Sequence, residues 1–110
     1  MNIRKEIINE IRILSLPSEQ LAYEKSLTIA GHAPSELLCV FCDDLYNPKS
    51  EELRLSFSND ELKELAHLYG LMVEASQDNY PIVTDMLKNP KWRKVIAFAK
   101  TIYSRYDTGK

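Results

Sequence analysis

The side chains best suited to chemistry are two cysteines, two histidines and several adjacent carboxylates. Cys39-Val40-Phe41-Cys42 has the spacing of a redox or metal-binding pair. A redox pair needs a thiolate stabilised at a helix N-terminus, usually after a strand. Both cysteines instead fall within an apolar run more than a turn beyond Pro34, the expected helix start. Zinc would need further ligands at suitable spacing, and only His32 and His67 are on offer. The pair therefore reads as two small buried hydrophobes, with no metal and no cofactor expected. His32 sits in the turn Gly31-His32-Ala33-Pro34, and His67 lies in a helical run. Neither has a nearby nucleophile with a third orienting partner, so His67 reads as a hydrogen-bonded helix histidine. A Gly-rich phosphate loop is absent as well. No catalytic residue is assigned, and the chain reads as a non-enzyme.

The carboxylates are more informative. Asp43-Asp44, Glu51-Glu52 and Asp60-Glu61 are adjacent pairs, and Glu64 follows one turn later. Neighbouring acids diverge on a helix, so none of these pairs makes a clamped acid/base couple. Asp60-Glu61 suits a helix N-terminus. Asp43-Asp44 lies near a helix C-terminus, where a negative charge costs about 0.3–1 kcal/mol. Two offsets are open: an internal salt bridge to Arg54, Lys91, Arg93 or Lys94, or a cationic partner protein.

The elements that must position these residues follow from apolar spacing. Ile3, Ile7, Ile8, Ile11 and Leu14 mark an amphipathic first helix that Leu16-Pro17-Ser18 ends. A second helix starts at Pro17 or Ser18, carries Tyr23, Leu27 and Ala30, and is capped by Gly31. Pro34 opens a third, with Leu37, Leu38, Phe41 and Leu45 inward, and Tyr46-Asn47-Pro48 stops it. Residues 49–57 are ambiguous. Leu53, Leu55 and Phe57 alternate as in a strand, but a lone strand would have no partner, so an irregular or short helical link is expected. Ser58-Asn59-Asp60-Glu61 has the form of a capping box, with Phe57 and Leu62 as its hydrophobic staple. The helix beyond it is apolar almost all round, which places residues 62–76 at the centre of a bundle. Pro81 opens a short helix with Ile82, Val83, Met86 and Leu87 inward. Asn89-Pro90 caps the last one, whose inner face holds Trp92, Val95, Ile96, Ala99, Ile102, Tyr103 and Tyr106. The expected fold is all-α: one domain over 1–110, a compact bundle of about five to seven helices around 62–76.

Composition narrows the function classes. With 45% hydrophobic and 27% charged residues, the chain falls in the globular range and not the disordered one. No apolar run approaches the roughly 20 residues that span a bilayer, and no signal-peptide core follows Met1. Together with the absence of a disulfide framework, this points to the cytoplasm and to no membrane partner. The last helix shows an outer stripe of Lys91, Arg93, Lys94, Lys100 and Arg105. A single stripe on a chain of pI near 5.7 reads as a solvated face, so no nucleic acid is expected. The net charge of −2 conceals an uneven distribution. Residues 36–64 hold eight acids against three bases, whereas 65–110 hold seven bases against four acids.

A short acidic helical chain with the stretch Asp43-Asp44…Glu51-Glu52…Asp60-Glu61…Glu64 and no catalytic motif resembles the small helical immunity proteins of bacterial contact-dependent growth inhibition systems. The resemblance is one of size, class and charge. It implies a toxin inhibitor that binds and neutralises a cognate basic toxin domain, often a nuclease. A nuclease site is cationic because it holds phosphates, and an acidic protein surface complements it. The expected partner-binding residues are Asp43, Asp44, Glu51, Glu52, Asp60, Glu61 and Glu64, with Tyr46 as an aromatic anchor. The alternatives are a helical regulatory or adaptor domain for another protein, and an enzyme whose site has no recognisable motif. One element is testable at once. Ser58→Ala should lower stability by roughly 0.5–2 kcal/mol through loss of its cap, read as an earlier denaturation midpoint.

Overall fold

In the computed structural model, which describes residues 3–26, 37, 46, 47, 49–78, 80 and 82–108, every regular element is a helix. There are six among the described residues: α1 (Ile3–Ser15), α2 (Pro17–Ser26), α3 (Glu51–Ser56), α4 (Asn59–Ala75), α5 (Val83–Lys88) and α6 (Pro90–Thr108). The Cα radius of gyration, 13.6 Å, is close to the ~13 Å of a compact chain of about 100 residues. The fold is the expected all-α bundle.

α1 turns Ile7, Ile11 and Leu14 fully inward, and Ile3, Ile8 and Ile13 pack partly against the same core. Its partner across the centre is α6, which buries Trp92, Val95, Ile96, Ala99, Ile102 and Tyr106 as its spacing requires. Pro17 then starts α2 with only Leu16 between the two helices. So tight a connection leaves the last carbonyls of α1 without helical partners. Gln20, fully buried, supplies them: its Nε2 donates to the carbonyls of Ile13 (3.1 Å) and Leu14 (3.0 Å). The Gln20 Oε1 in turn accepts from Trp92 Nε1 at 2.9 Å, joining α1, α2 and α6 through one amide.

The segment left open by the sequence is helical. α3 is capped by Ser50, whose hydroxyl accepts from the Leu53 amide at 3.3 Å. Leu53 and Phe57, four residues apart, are buried, and Leu55 points outward. The Ser58 capping box forms with both of its hydrogen bonds. At the other end of α4, the buried Tyr80 hydroxyl donates to the Ala75 carbonyl at 2.6 Å. The Asn89-Pro90 start of α6 also forms: Asn89 Oδ1 accepts from the Lys91 amide at 2.8 Å, and its amide donates to Asp78. α5 has no side-chain cap of its own. Glu24 of α2 serves instead, accepting from the Val83 amide at 2.8 Å.

One expectation is corrected and one is refined. Among the described helices, the last helix, α6, packs closely against both α1 and the 62–76 helix. α4 buries Leu65, Leu68, Met72 and Ala75 but leaves Ala66, Gly70 and Val73 exposed. Small or isolated apolar residues on a surface cost little, so apolar character all round overstated its burial. Ile82, expected inward, is 48% exposed. It is the extended N-cap residue of α5 and so precedes the helical stripe. The expected second-helix tail, its Gly31 cap and nearly all of the helix after Pro34 lie outside the described residues. Of that stretch only Leu37 is described, and it is buried as expected.

Glu10 is the one carboxylate held within the core-facing side of α1, with 8% of its surface exposed. Burial pushes its carboxyl up to about 7 from the ordinary 4.5. A raised carboxyl means that the native state binds the extra proton, so stability falls as pH rises from 4.5 through 7. Glu10→Gln should flatten that slope. It should stabilise the protein at pH 8 by on the order of 2–3 kcal/mol and leave it nearly unchanged at pH 4, measured by urea denaturation.

Candidate functional site

The acids of the middle block do not form one surface. Asp43 and Asp44 lie outside the described residues. Glu51 and Glu52 are exposed in the first turn of α3, where the helix dipole favours them. Asp60 is exposed in the first turn of α4 for the same reason. Glu61 and Glu64 face inward along α4 and have internal partners.

Glu61 is the better held of the two. Arg4 approaches it with both terminal nitrogens, at 3.0 and 3.1 Å, and also donates to the Ser56 carbonyl at 2.9 Å. The Arg4 guanidinium lies 4.8 Å from the centre of the Phe57 ring and 5.9 Å from that of Tyr106. Phe57 and Tyr106 meet at 6.1 Å between centroids. Glu61 also closes the capping box by accepting from the Ser58 amide at 2.8 Å. The hydrogen bond from Arg4 is the main reason that the Glu61 carboxyl is held below its ordinary value, and the Arg4 guanidinium is raised by the same bond. Glu64 pairs with Arg105 and accepts from the Tyr106 hydroxyl at 3.1 Å. Burial, helped by Glu61, pushes that hydroxyl up to about 12.

Tyr46, expected as the aromatic anchor, is half-buried against Tyr69 at 5.2 Å between ring centroids, and burial raises its hydroxyl. It packs against the core in this arrangement. The side chain that sequence reasoning passed over is Leu55. It is 80% exposed, the most exposed of the large apolar side chains among the described residues. It stands one turn beyond Glu51 and Glu52 on the same helix, so the three share a face. The signal was present in the sequence: a helix with Leu53 and Phe57 inward at i and i+4 must turn position 55 outward.

Of the internal partners considered for Asp43 and Asp44, Lys91 pairs with Asp78 at 3.5 Å, and Arg93 donates through Nε to the Leu87 carbonyl at 3.2 Å. His67 packs edge-on against Phe98, with centroids 4.6 Å apart. Cys39, Cys42 and His32 lie outside the described residues. No cluster of three or more metal-ligating side chains occurs among the described residues. None of the described helices is long and apolar enough to cross a membrane. No family model, no curated protein and no solved structure matches the chain.

The Arg4–Glu61 contact yields a pH prediction. A lowered carboxyl contributes stability that is complete above its ordinary value of 4.5 and is lost as pH falls through the native value. Glu61→Gln should cost about 1.5–3 kcal/mol at pH 7, the range for a hydrogen bond to a charged group. The variant and the parent should converge at the acid end of a stability–pH curve.

Proposed function

We propose that this chain is a protein-binding domain that engages a basic protein partner, as an immunity protein engages its toxin, through the α3 face and its flank. The observation that supports the reading is the exposure of Leu55 beside Glu51 and Glu52. An apolar anchor rimmed by charge is the arrangement in which desolvation supplies affinity and the rim supplies rate and specificity. Asp60 extends the rim on the next helix, and Asp43 and Asp44 belong to it on the sequence reading. Glu61 and Glu64 drop out of the binding set because Arg4 and Arg105 occupy them. Tyr46 gives its anchor role to Leu55.

The partner surface should carry lysines or arginines around an apolar pocket. A nuclease toxin domain satisfies the charge requirement, since its site must attract phosphate. Binding would then block the site by occupation, with no chemistry required of this chain.

Leu55→Ala and the double reversal Glu51→Lys with Glu52→Lys test the reading on one surface. Leu55→Ala should keep the parent's unfolding midpoint, because the side chain is exposed, and the double reversal should lower it only by the loss of two favourable helix-dipole contacts, about 0.3–1 kcal/mol each. Affinity for the protein that co-purifies from the native host, or that is encoded beside this chain, should fall about 10–100-fold for Leu55→Ala, the worth of one buried leucine. Charge reversal should slow association and flatten its salt dependence. Unchanged affinity in both variants would place the partner elsewhere and end this proposal.

A further inference from the structure

The outward face of α6 carries a second surface of opposite character. Arg93, Lys94 and Lys100 are exposed, and none of them forms an ion pair among the described residues. Ala97, also exposed, lies between them and lines two open hollows at once. The larger, about 460 Å³, has Pro17, Leu87 and Ile96 as its apolar walls, with Arg93 and Lys100 at its mouth. The smaller, about 360 Å³, is walled by Leu71 and Phe98, with Lys94 and Thr101 at its edge. Among the described residues no carboxylate lines either one.

We infer that this face docks an acidic amphipathic helix of a partner protein. The two hollows are side by side and open to solvent, a form that suits a rod laid across them more than an enclosed small molecule. Ala97 at the crossing point lets a second helix approach to the ~8–10 Å of ordinary helix packing, which a larger side chain would prevent. The partner's apolar residues, spaced three and four apart, then fill the hollows on either side of Ala97. The cations select the flanks. Arg93 and Lys100 stand seven residues apart, about 10 Å along the axis, so carboxylates two turns apart on the partner meet both. The bond from Arg93 to the last turn of α5 fixes one end of this cationic edge. None of these residues belongs to the α3 face, so either surface can fail without the other.

The test uses the full chain, isotope-labelled for NMR. Two synthetic peptides of about 18 residues, long enough to hold helical structure, share one leucine stripe but carry either glutamate or lysine flanks. The glutamate peptide should shift resonances of Leu71, Leu87, Ala97 and Phe98, and should bind at least about tenfold more tightly than the lysine peptide. Arg93→Glu with Lys100→Glu should invert that preference, with the unfolding midpoint lowered at most by the loss of the single exposed Arg93–Leu87 bond. Ala97→Trp should abolish binding by closing the crossing point. Equal binding of both peptides, shifts confined to other faces, or no binding at millimolar peptide would overturn the inference. So would tighter competition by dodecanoate, which would assign the hollows to a lipid carboxylate. A concentration-dependent dimer in sedimentation, lost in the Arg93/Lys100 reversal, would assign them to a second copy of this chain and equally overturn it.

Discussion

The amide of Gln20 is the constraint on which the packing of α6 against α1 rests. α1 and α2 are separated by a single residue, so the chain turns before the end of α1 has found hydrogen-bond partners. Without Gln20 the buried Leu14 carbonyl would be left unpaired, at about 1–3 kcal/mol, and the Ile13 carbonyl would keep only its bond from the Leu16 amide. The Gln20 Nε2 satisfies both, and its Oε1 satisfies the indole N–H of Trp92. Trp92 can be wholly buried only because that N–H is met. One side chain thus sets the α1–α2 corner and the lengthwise position of α6 against it. No buried side-chain nitrogen or oxygen among the described residues lacks a partner, so the network is complete. Completeness matters because a half-satisfied buried network is worse than an apolar core.

A second polar node fixes the other end of the same pair. Arg4, near the start of α1, reaches Glu61 at the start of α4 and lies over Phe57 and Tyr106. Tyr106, near the end of α6, completes the group by donating toward α4 through Glu64. The two ends of the α1–α6 contact are therefore locked by different chemistry: a buried neutral amide at one, and a part-exposed ion pair with aromatic packing at the other. Only the second is sensitive to acid. Glu10, between them on α1, responds to pH in the opposite sense, so the dependence of stability on pH has two limbs with separate origins.

Much of this fold was legible locally. Ser58-Asn59-Asp60-Glu61, Asn89-Pro90 and the spacing of α1 and α6 are instructions that a helix reads within a turn or two. The long-range choices were not legible. Arg4 and Glu61 are 57 positions apart, and Arg105 and Glu64 are 41 apart. Nothing in a charge count says which acids find cations from other helices, so the 36–64 block looked like one acidic surface when two of its members are internal. Gln20 was equally silent. A lone glutamine in a polar helix signals exposure until the corner of α1 makes its amide necessary. Leu55 is the reverse case. The alternation Leu53, Leu55, Phe57 resembled a strand, and recognition of its exposure required that α3 be helical first.

Nothing among the described residues accounts for the exposure of Leu55. α3 is six residues long, too short to persist without tertiary support. That support comes from Leu53 and Phe57 below and from the Ser50 cap, none of which involves position 55. A polar residue there would serve the helix equally well and would remove an apolar group from solvent. Isolated surface leucines are common enough to mean little alone. Here the leucine stands on a capped turn, with two carboxylates on its own face. On α6 the logic runs the other way: the exposed residue is small, the apolar walls are recessed, and the charges at the edge are positive. A projecting knob with an acidic rim and a recessed strip with a basic rim call for partners of opposite shape and opposite sign. Leu55 and its acids, and the exposed Arg93, Lys94, Ala97 and Lys100, stand outside the core, so selection can alter these side chains while the Gln20 and Arg4 nodes keep the frame beneath them unchanged.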